Sequence, residues 1–205
     1  MFFEDEFIYF FLTSAKRIYV IRLHPIMRKL KNSELDRLNV EEFRQASKLP
    51  VAVILDNVRS LHNIGSVFRT SDAVLVEIIH LCGITAVPPH KDIHKTALGA
   101  TDSVKWDYYE HTRDSIQKLK DESYTIVAVE QTTDSIPLNT FQVKKNEKYA
   151  FIFGHEIRGV QQEIVNLSDL RIDIPQNGTK HSLNISVCAG IVLWEVFKQL
   201  KLSGK

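Results

Sequence analysis

Cysteine is scarce in this sequence, because Cys82 and Cys188 are the only two in 205 residues. Each lies inside an apolar run and no C-x-x-C pair occurs, so we expect two reduced core cysteines and neither a disulfide scaffold nor a structural zinc site. His90 and His94 have the spacing of helical metal ligands, but a Pro-Pro pair precedes them and no third ligand is placed. We therefore predict no metal site.

The sequence also lacks the two common glycine-rich phosphate loops. Neither G-x-x-x-x-G-K-[ST] nor G-x-G-x-x-G occurs, and the polar segment after the first predicted strand, residues 56–62, contains no glycine. A dehydrogenase or a related nucleotide-binding α/β enzyme needs such a loop to hold phosphate groups. This absence argues against that class of protein.

Long apolar runs are missing as well. The first 26 residues are rich in phenylalanine, but acids occupy positions 4–6, where a signal peptide is basic, and basic residues at 16, 17 and 22 interrupt the remainder. A polar, helix-compatible stretch begins at a second methionine, Met27. We predict that residues 1–26 are an appendage, either disordered or not native, and that the protein is cytoplasmic and not attached to a membrane.

The remaining composition is that of one globular domain. Hydrophobic residues make up 44% of the chain and charged residues 25%, and the formal net charge is +1. A charge this small does not by itself indicate a nucleic-acid partner, although a nearly neutral total can hide a local basic face.

Short apolar runs alternate with helix-compatible segments along the chain. Unbroken apolar runs, such as residues 51–55, are typical of strands buried in a parallel sheet. The pattern predicts an α/β fold with a mostly parallel sheet flanked by helices over residues 51–205, after a short helical lead-in at 27–50. Strands are predicted at 51–55, 78–81, 124–129, 149–153 and 171–174, and helices at 64–76, 112–122 (with Thr112 as its cap), 160–166 and 184–200.

Two longer segments, 84–99 and 176–182, are predicted to be irregular. Three clusters of polar residues and glycine follow predicted strands, at 57–70, 153–160 and 174–187. Ligands of open α/β sheets gather beyond the carboxyl ends of the strands. These clusters are therefore the candidate functional segments.

Single residues in the clusters also have ordinary structural interpretations. Asn63 could cap the helix that follows it, and Arg69 could lie on the exposed surface of that helix. Glu156 could be a solvated loop charge, and Ser182 or Asn184 could cap the final helix. Each residue alone is weak evidence of function.

Together and in this order, the clusters resemble the three motifs of the SpoU/TrmH RNA ribose 2′-O-methyltransferases. The resemblance covers roughly residues 51–200. The matching residues are Asn63-Ile-Gly65 with Arg69 for motif 1, Gly154-His155-Glu156 with Gly159 for motif 2, and Ile174-Pro175 through Ser182-Leu183-Asn184 for motif 3. Gln176 departs from the methionine that is common after the motif 3 proline, which implies a changed pocket wall.

The resemblance implies a deep C-terminal trefoil knot that binds S-adenosyl-L-methionine, and an RNA substrate, with tRNA favoured over rRNA. The alternative is a non-catalytic RNA-binding protein of the same fold. By motif position, the backbone at Gly154, Ile174 and Leu183 would bind the donor, and the catalytic side chains would be Asn63, Arg69, Glu156, Ser182 and Asn184.

The resemblance assigns activation of the ribose hydroxyl to Arg69. A ribose hydroxyl is a poor nucleophile and needs a proton acceptor or stabilisation of the developing alkoxide. Because a guanidinium normally keeps its proton in proteins, two roles stay open: an unusual base, or a cation that stabilises the oxyanion.

The final predicted helix is apolar nearly all round, which is typical of a helix buried on every side. A helix near the end of a small α/β domain normally has one exposed face, so we predict a two-fold homodimer that covers it. The resemblance also implies a dimer through the knot region, in which Arg59 or Arg158 of one chain could reach RNA held by the other.

Overall fold

The structure is a computed structural model that describes residues 9–14, 17–22 and 27–202. The chain divides into two compact units, Met1–Arg37 and Leu38–Lys205. In the first unit, strands β1 (Tyr9–Ser14) and β2 (Arg17–Arg22) pair in antiparallel fashion, and Asn32–Glu34 form a 3-10 turn. The rest of the segment 1–26, which we predict to be an appendage, lies outside the described residues.

The second unit is an α/β structure built from alternating strands and helices. Their bounds are α1 Val40–Gln45, β3 Leu49–Asp56, α2 Leu61–Ala73, β4 Val76–Cys82, α3 Lys91–Ala97, α4 Ala100–Ser103, β5 Trp106–Tyr109, α5 Thr112–Asp121, β6 Tyr124–Val129, β7 Ile136–Pro137, β8 Lys148–Phe153, α6 Gln162–Leu167, β9 Leu170–Asp173 and α7 Ile185–Phe197, which continues as a π-helical turn, Lys198–Leu202.

One parallel sheet organises this unit. Its order, over the part of the chain that is described, is β5-β4-β3-β8-β6-β9-β7, and all paired neighbours are parallel. The predicted fold class, a mostly parallel sheet with flanking helices, is confirmed. The implied trefoil knot stays a prediction.

The sheet is covered on both faces, which explains the unbroken apolar runs of its central strands. In β3, Val51, Val53 and Leu55 belong to one core cluster, and Ala52 and Ile54 belong to the other. Helices α2, α3 and α7 contribute to the first cluster, and α5 and α6 to the second. Buried parallel strands therefore need apolar side chains at every position.

The side of the sheet on which successive strands lie changes between the neighbouring strands β3 and β8. The strands that follow β3 in the chain, β4 and β5, lie on one side of it, whereas β8 lies on the other side. Leu55 near the end of β3 pairs with Phe153 at the end of β8. A crevice opens at the carboxyl ends of the strands where such a reversal occurs, and this is where α/β proteins bind ligands.

The sequence predictions for the segments around α3 and the start of α5 are wrong. Residues 84–99 are not irregular throughout, because they contain α3: Nδ1 of His90 accepts a hydrogen bond from the Asp92 N–H at its start, and Ile93 and Ala97 are buried. Thr112 does not cap α5, since His111 precedes the helix and the Thr112 hydroxyl donates to the buried Asp56 carboxylate over 2.6 Å. Within the described residues, no helix is long and apolar enough to cross a membrane.

Candidate active site

Glu156 connects the second predicted cluster to the first. Its carboxylate accepts hydrogen bonds from the Ser60 N–H at 2.8 Å, the Arg59 N–H at 3.1 Å and the side-chain amide of Asn63 at 3.1 Å. Partial burial raises the pKa of Glu156, but the backbone and side-chain hydrogen bonds outweigh this effect and the pKa lies below its ordinary value. Glu156 is therefore a structured carboxylate and not a solvated loop charge.

Asn63 links Glu156 to the third cluster. Its Nδ2 donates to Glu156, and its Oδ1 accepts a hydrogen bond from Nδ2 of Asn184 at 3.2 Å. The alternative interpretation of Asn63, as the cap of α2, is wrong, because the helix begins at Leu61 and the Ser60 hydroxyl accepts the Asn63 N–H at 3.3 Å. One residue of each cluster thus belongs to a single hydrogen-bonded chain.

Of the two residues that could cap the final helix by sequence, Ser182 and Asn184, it is Asn184 that is the N-cap of α7. Its Oδ1 accepts hydrogen bonds from the N–H of Ser186 at 2.9 Å and the hydroxyl of Ser186 at 2.7 Å, which leaves its amide nitrogen for Asn63. The start of α7 is therefore fixed to the start of α2 by two side-chain amides.

The segment from Gly154 to Gly159 forms a tight turn after β8. The backbones of His155 and Gly159 exchange two hydrogen bonds, at 3.0 and 2.8 Å. A Cβ at position 154 would lie 2.2 Å from the nitrogen of Val160, and Gly159 has a φ of +65°. Both glycines are required by the geometry of the turn.

Glu130 and Gln131, at the end of β6, are site residues that the sequence analysis missed. The Glu130 carboxylate accepts the Val160 N–H at 2.9 Å, and the Gln131 side chain donates to the His181 carbonyl at 2.9 Å. They fix the second and third clusters from the neighbouring strand. Their position one and two residues past a buried strand was the available signal.

A cavity of about 510 Å³ lies between these turns, at the carboxyl ends of β6, β8 and β9. Six of the eight predicted site residues line it: Gly154, Glu156, Ile174, Ser182, Leu183 and Asn184. Asn63 adjoins it through its hydrogen bonds to Glu156 and Asn184. The walls combine apolar side chains with backbone and polar groups, as in typical small-molecule sites.

Arg69 is the predicted site residue that this arrangement does not bring to the cavity. It is exposed on α2, and no hydrogen bond or ion pair of its guanidinium occurs among the described residues. It follows Asn63 by six positions, which places it about 9 Å farther along the helix and about 240° around its axis. The cavity of one chain therefore holds the predicted network without Arg69.

Cys188 also lines the cavity and is half-buried. Desolvation by burial, with a further contribution from the Glu130 charge, raises the pKa of its thiol to about 12. The thiol is thus protonated at neutral pH and is a wall of the cavity, not a nucleophile.

The sequence of this chain is similar to those of known proteins. A family model described as the SpoU rRNA methylase family matches residues 50–194. A tRNA (guanosine(18)-2′-O)-methyltransferase of Aquifex aeolicus is 32% identical over 169 residues, which are 80% of this chain and 77% of the relative.

Two solved structures have a similar fold. The A. aeolicus TrmH/SpoU tRNA modifying enzyme has a TM-score of 0.71 at 27% identity, covering 80% of this chain and 84% of that one. An AdoMet-bound rRNA methyltransferase from Sinorhizobium meliloti has a TM-score of 0.70 at 26% identity, covering 77% of this chain and 60% of the longer neighbour.

Proposed function

The chain belongs to the SpoU rRNA methylase family, and we propose that it methylates a ribose 2′-hydroxyl of structured RNA with S-adenosyl-L-methionine as the donor. The hydrogen-bonded chain Glu156–Asn63–Asn184 beside the cavity is the observation that carries this proposal. We favour tRNA over rRNA, because the tRNA-modifying relative is matched over 77% of its length and the rRNA methyltransferase structure over 60%. Such an enzyme would act in the cytoplasm.

The cavity suits the methyl donor in size and in the character of its walls. A volume of about 510 Å³ is within the range of sites for ligands of this size. Gly154, Ile174 and Leu183 would hold the donor, mainly through backbone groups, and Phe153 adds an apolar wall. When bound, the donor supplies an electrophilic methyl group on a sulfonium.

The side chains around the cavity would orient the ribose. Asn63 and Asn184 are held by hydrogen bonds, so they are preorganised to position a hydroxyl group, and Ser182 is exposed at the cavity. Arg69 would act on the 2′-oxygen, either as an unusual base or as a cation that stabilises the developing negative charge.

The enzyme would work as a homodimer through α7. One face of this helix is buried in the core, whereas Val187, Ile191 and Trp194 on another face are 50%, 38% and 54% exposed. The three positions recur at helical spacing and form an apolar stripe, which a two-fold partner would cover. Arg59 or Arg158 of one chain would then contact RNA held by the other.

Methyl transfer from labelled S-adenosylmethionine to purified tRNA and rRNA tests the function. A 2′-O-methyl group blocks alkaline cleavage of the adjacent phosphodiester, so alkaline digestion should leave the label in a dinucleotide from tRNA. Glu156→Gln is the negative control and should transfer little label. It keeps the shape of the side chain but removes the carboxylate that accepts the hydrogen bond of Asn63. Label on a base would contradict the proposed reaction, and RNA binding without label would identify the non-catalytic alternative.

A further inference from the structure

A second groove, of about 470 Å³, shares no residue with the candidate active site. Residues of α3 and of the segment before it form one side, and the segment from α4 to the start of β5 forms the other. We name it the α3 groove and define it by Pro88, His90, Lys91, His94, Asp102 and Trp106.

The lining of the α3 groove carries one lysine, two histidines and one aspartate. Lys91 and His94 are exposed on α3. Arg44 of α1 donates a hydrogen bond to the backbone carbonyl of Asp102 over 2.8 Å, which brings a guanidinium to the rim. Asp102 is the one acid among the described lining residues. Lys91 and the Arg44 guanidinium are the cations that can contact a phosphodiester backbone here.

The groove also presents groups that recognise bases. Trp106 is half-buried and packs against the core, so its indole is held in place while part of it is accessible. His90 accepts the Asp92 N–H through Nδ1, which assigns the proton of the neutral ring to Nε2 and leaves that N–H as a donor. Unpaired RNA bases stack on aromatic side chains of this kind.

The position of the groove is fixed relative to the active site. Helices α2 and α3 cross so closely that a Cβ at Gly65 would lie 2.1 Å from the Thr96 hydroxyl and 2.3 Å from the Ile93 carbonyl. The Thr96 hydroxyl donates to the His62 carbonyl over 3.1 Å. Because α2 also carries Asn63, a nucleotide in the groove would lie at a set distance from a ribose at the cavity.

We infer that the α3 groove is a second RNA subsite that takes one unpaired nucleotide of the substrate. Its base stacks on Trp106, and its phosphate contacts Lys91 and His94. The subsite rests on the proposed function for the identity of the RNA. It selects RNAs that have an unpaired nucleotide at the set distance from the methylated ribose, and so contributes to specificity rather than to chemistry.

Steady-state methylation with the Lys91→Ala/His94→Ala variant tests the phosphate contact. We expect KM for RNA to rise about tenfold, with kcat and the affinity for S-adenosylhomocysteine unchanged. In Lys91→Ala alone, the slope of log K for RNA binding against log salt should fall by about 0.7, the value for one phosphate contact of a single strand. An unchanged KM and an unchanged slope would overturn the subsite.

Lys145→Ala is the matched control. Lys145 is exposed just before β8, which β3 and β4 separate from β5, where Trp106 lies. The Lys145→Ala substitution removes one lysine charge from the protein and changes no residue of the α3 groove. If this variant lowers the salt slope as much as Lys91→Ala does, the effect is one of total charge and the subsite is overturned.

The stacking contact is tested with a pair of variants at one position. Both Trp106→Phe and Trp106→Leu alter the packing of Trp106 against the core. Only Trp106→Phe keeps an aromatic ring on which a base can stack, so a difference between the two variants reports on stacking. Binding of a short single-stranded RNA, measured by fluorescence anisotropy, should weaken several-fold more in Trp106→Leu than in Trp106→Phe. Equal losses would overturn stacking. Because this assay needs no methyl transfer, it gives its result even if the proposed function fails.

Discussion

Asn184 donates a hydrogen bond from Nδ2 to Oδ1 of Asn63, 121 residues earlier in the chain, over 3.2 Å. The direction of this bond is fixed at both ends. Nδ2 of Asn63 donates to Glu156, so its Oδ1 must accept, and Oδ1 of Asn184 accepts from Ser186, so its Nδ2 must donate. Two amides with determined orientations therefore lie between a carboxylate and the start of α7.

Asn63→Asp should abolish methyl transfer, because it replaces the donor to Glu156 by a second carboxylate at 3.1 Å. Asn63 is only 8% exposed, so the like charges are poorly screened and the network must rearrange. We expect kcat/KM to fall at least about 100-fold. Asn166→Asp, at an exposed position on α6, is the control and should keep full activity. Wild-type kcat/KM in Asn63→Asp would exclude the network from catalysis.

Gly154→Ala should eliminate donor binding. The new Cβ would lie 2.2 Å from backbone atoms of Gly159 and Val160, so the turn that lines the cavity has to open. Calorimetry with S-adenosylhomocysteine should show an affinity loss of more than about tenfold. Gly178→Ala is the matched control, because nothing lies within 4 Å of its added Cβ and its φ is not positive. Equal affinities in the two variants would contradict the assignment of the donor site.

His80 should make the protein less stable at mildly acidic pH. Burial, opposed in part by Asp107, lowers its pKa to about 4. In the unfolded chain this histidine is half protonated near pH 6.5, whereas in the folded protein it is half protonated only near pH 4. Between these two values the unfolded state therefore binds more protons than the folded state, and the free energy of unfolding rises with pH. The free energy of unfolding should fall by up to about 3 kcal/mol from pH 6.5 to pH 4.

Urea unfolding at a series of pH values measures this effect. In His80→Gln the free energy of unfolding should decrease less between pH 6.5 and pH 4 than in the wild type, because the residue no longer titrates. Loss of the hydrogen bond to Ser115 should lower the stability of this variant equally at every pH. His181→Gln, at an exposed site, should follow the wild type. Parallel curves for wild type and His80→Gln would show that other groups cause the acid sensitivity.

The sheet was predictable because its strands are buried on both faces. Unbroken apolar runs such as those of β3 and β8 are typical of buried parallel strands. The strands β5 and β7 were missed, since both are short, lie at the edges of the sheet and alternate little in burial. Helix α3 was missed because its single capping contact comes from a histidine, after two prolines that suggested a loop.

The motif residues were predictable as a set, but their contacts were not. Spacing placed Asn63, Glu156 and Asn184 after strands that end at one edge of the sheet, and six of the eight predicted residues do line one cavity. The alternative capping role of Asn63 was wrong, because Ser60, three residues earlier, provides the cap. Glu130 was not predicted, since its role depends on β6 lying beside β8, which the sequence order does not reveal.

Arg69 lies outside the cavity of its own chain, so its function depends on how two chains associate. In the proposed dimer, α7 of each chain lies in the interface, and α2 packs on α7, so the helix that carries Arg69 would lie near the partner. Arg69→Ala should therefore lose methyl transfer while it keeps S-adenosylhomocysteine binding and its melting temperature. The remaining question is which cavity it serves.

Mixing two inactive variants answers it. Arg69→Ala chains retain the cavity, and Gly154→Ala chains retain Arg69. If Arg69 acts on the cavity of the other subunit, each mixed dimer has one intact site, and equal mixing after mild denaturation and refolding should restore about a quarter of wild-type activity. Each variant refolded alone is the control and should stay inactive. If the mixture is also inactive while native mass spectrometry shows mixed dimers, Arg69 serves its own chain, and RNA binding must reposition it. A monomer that is fully active would contradict both the α7 interface and the shared site.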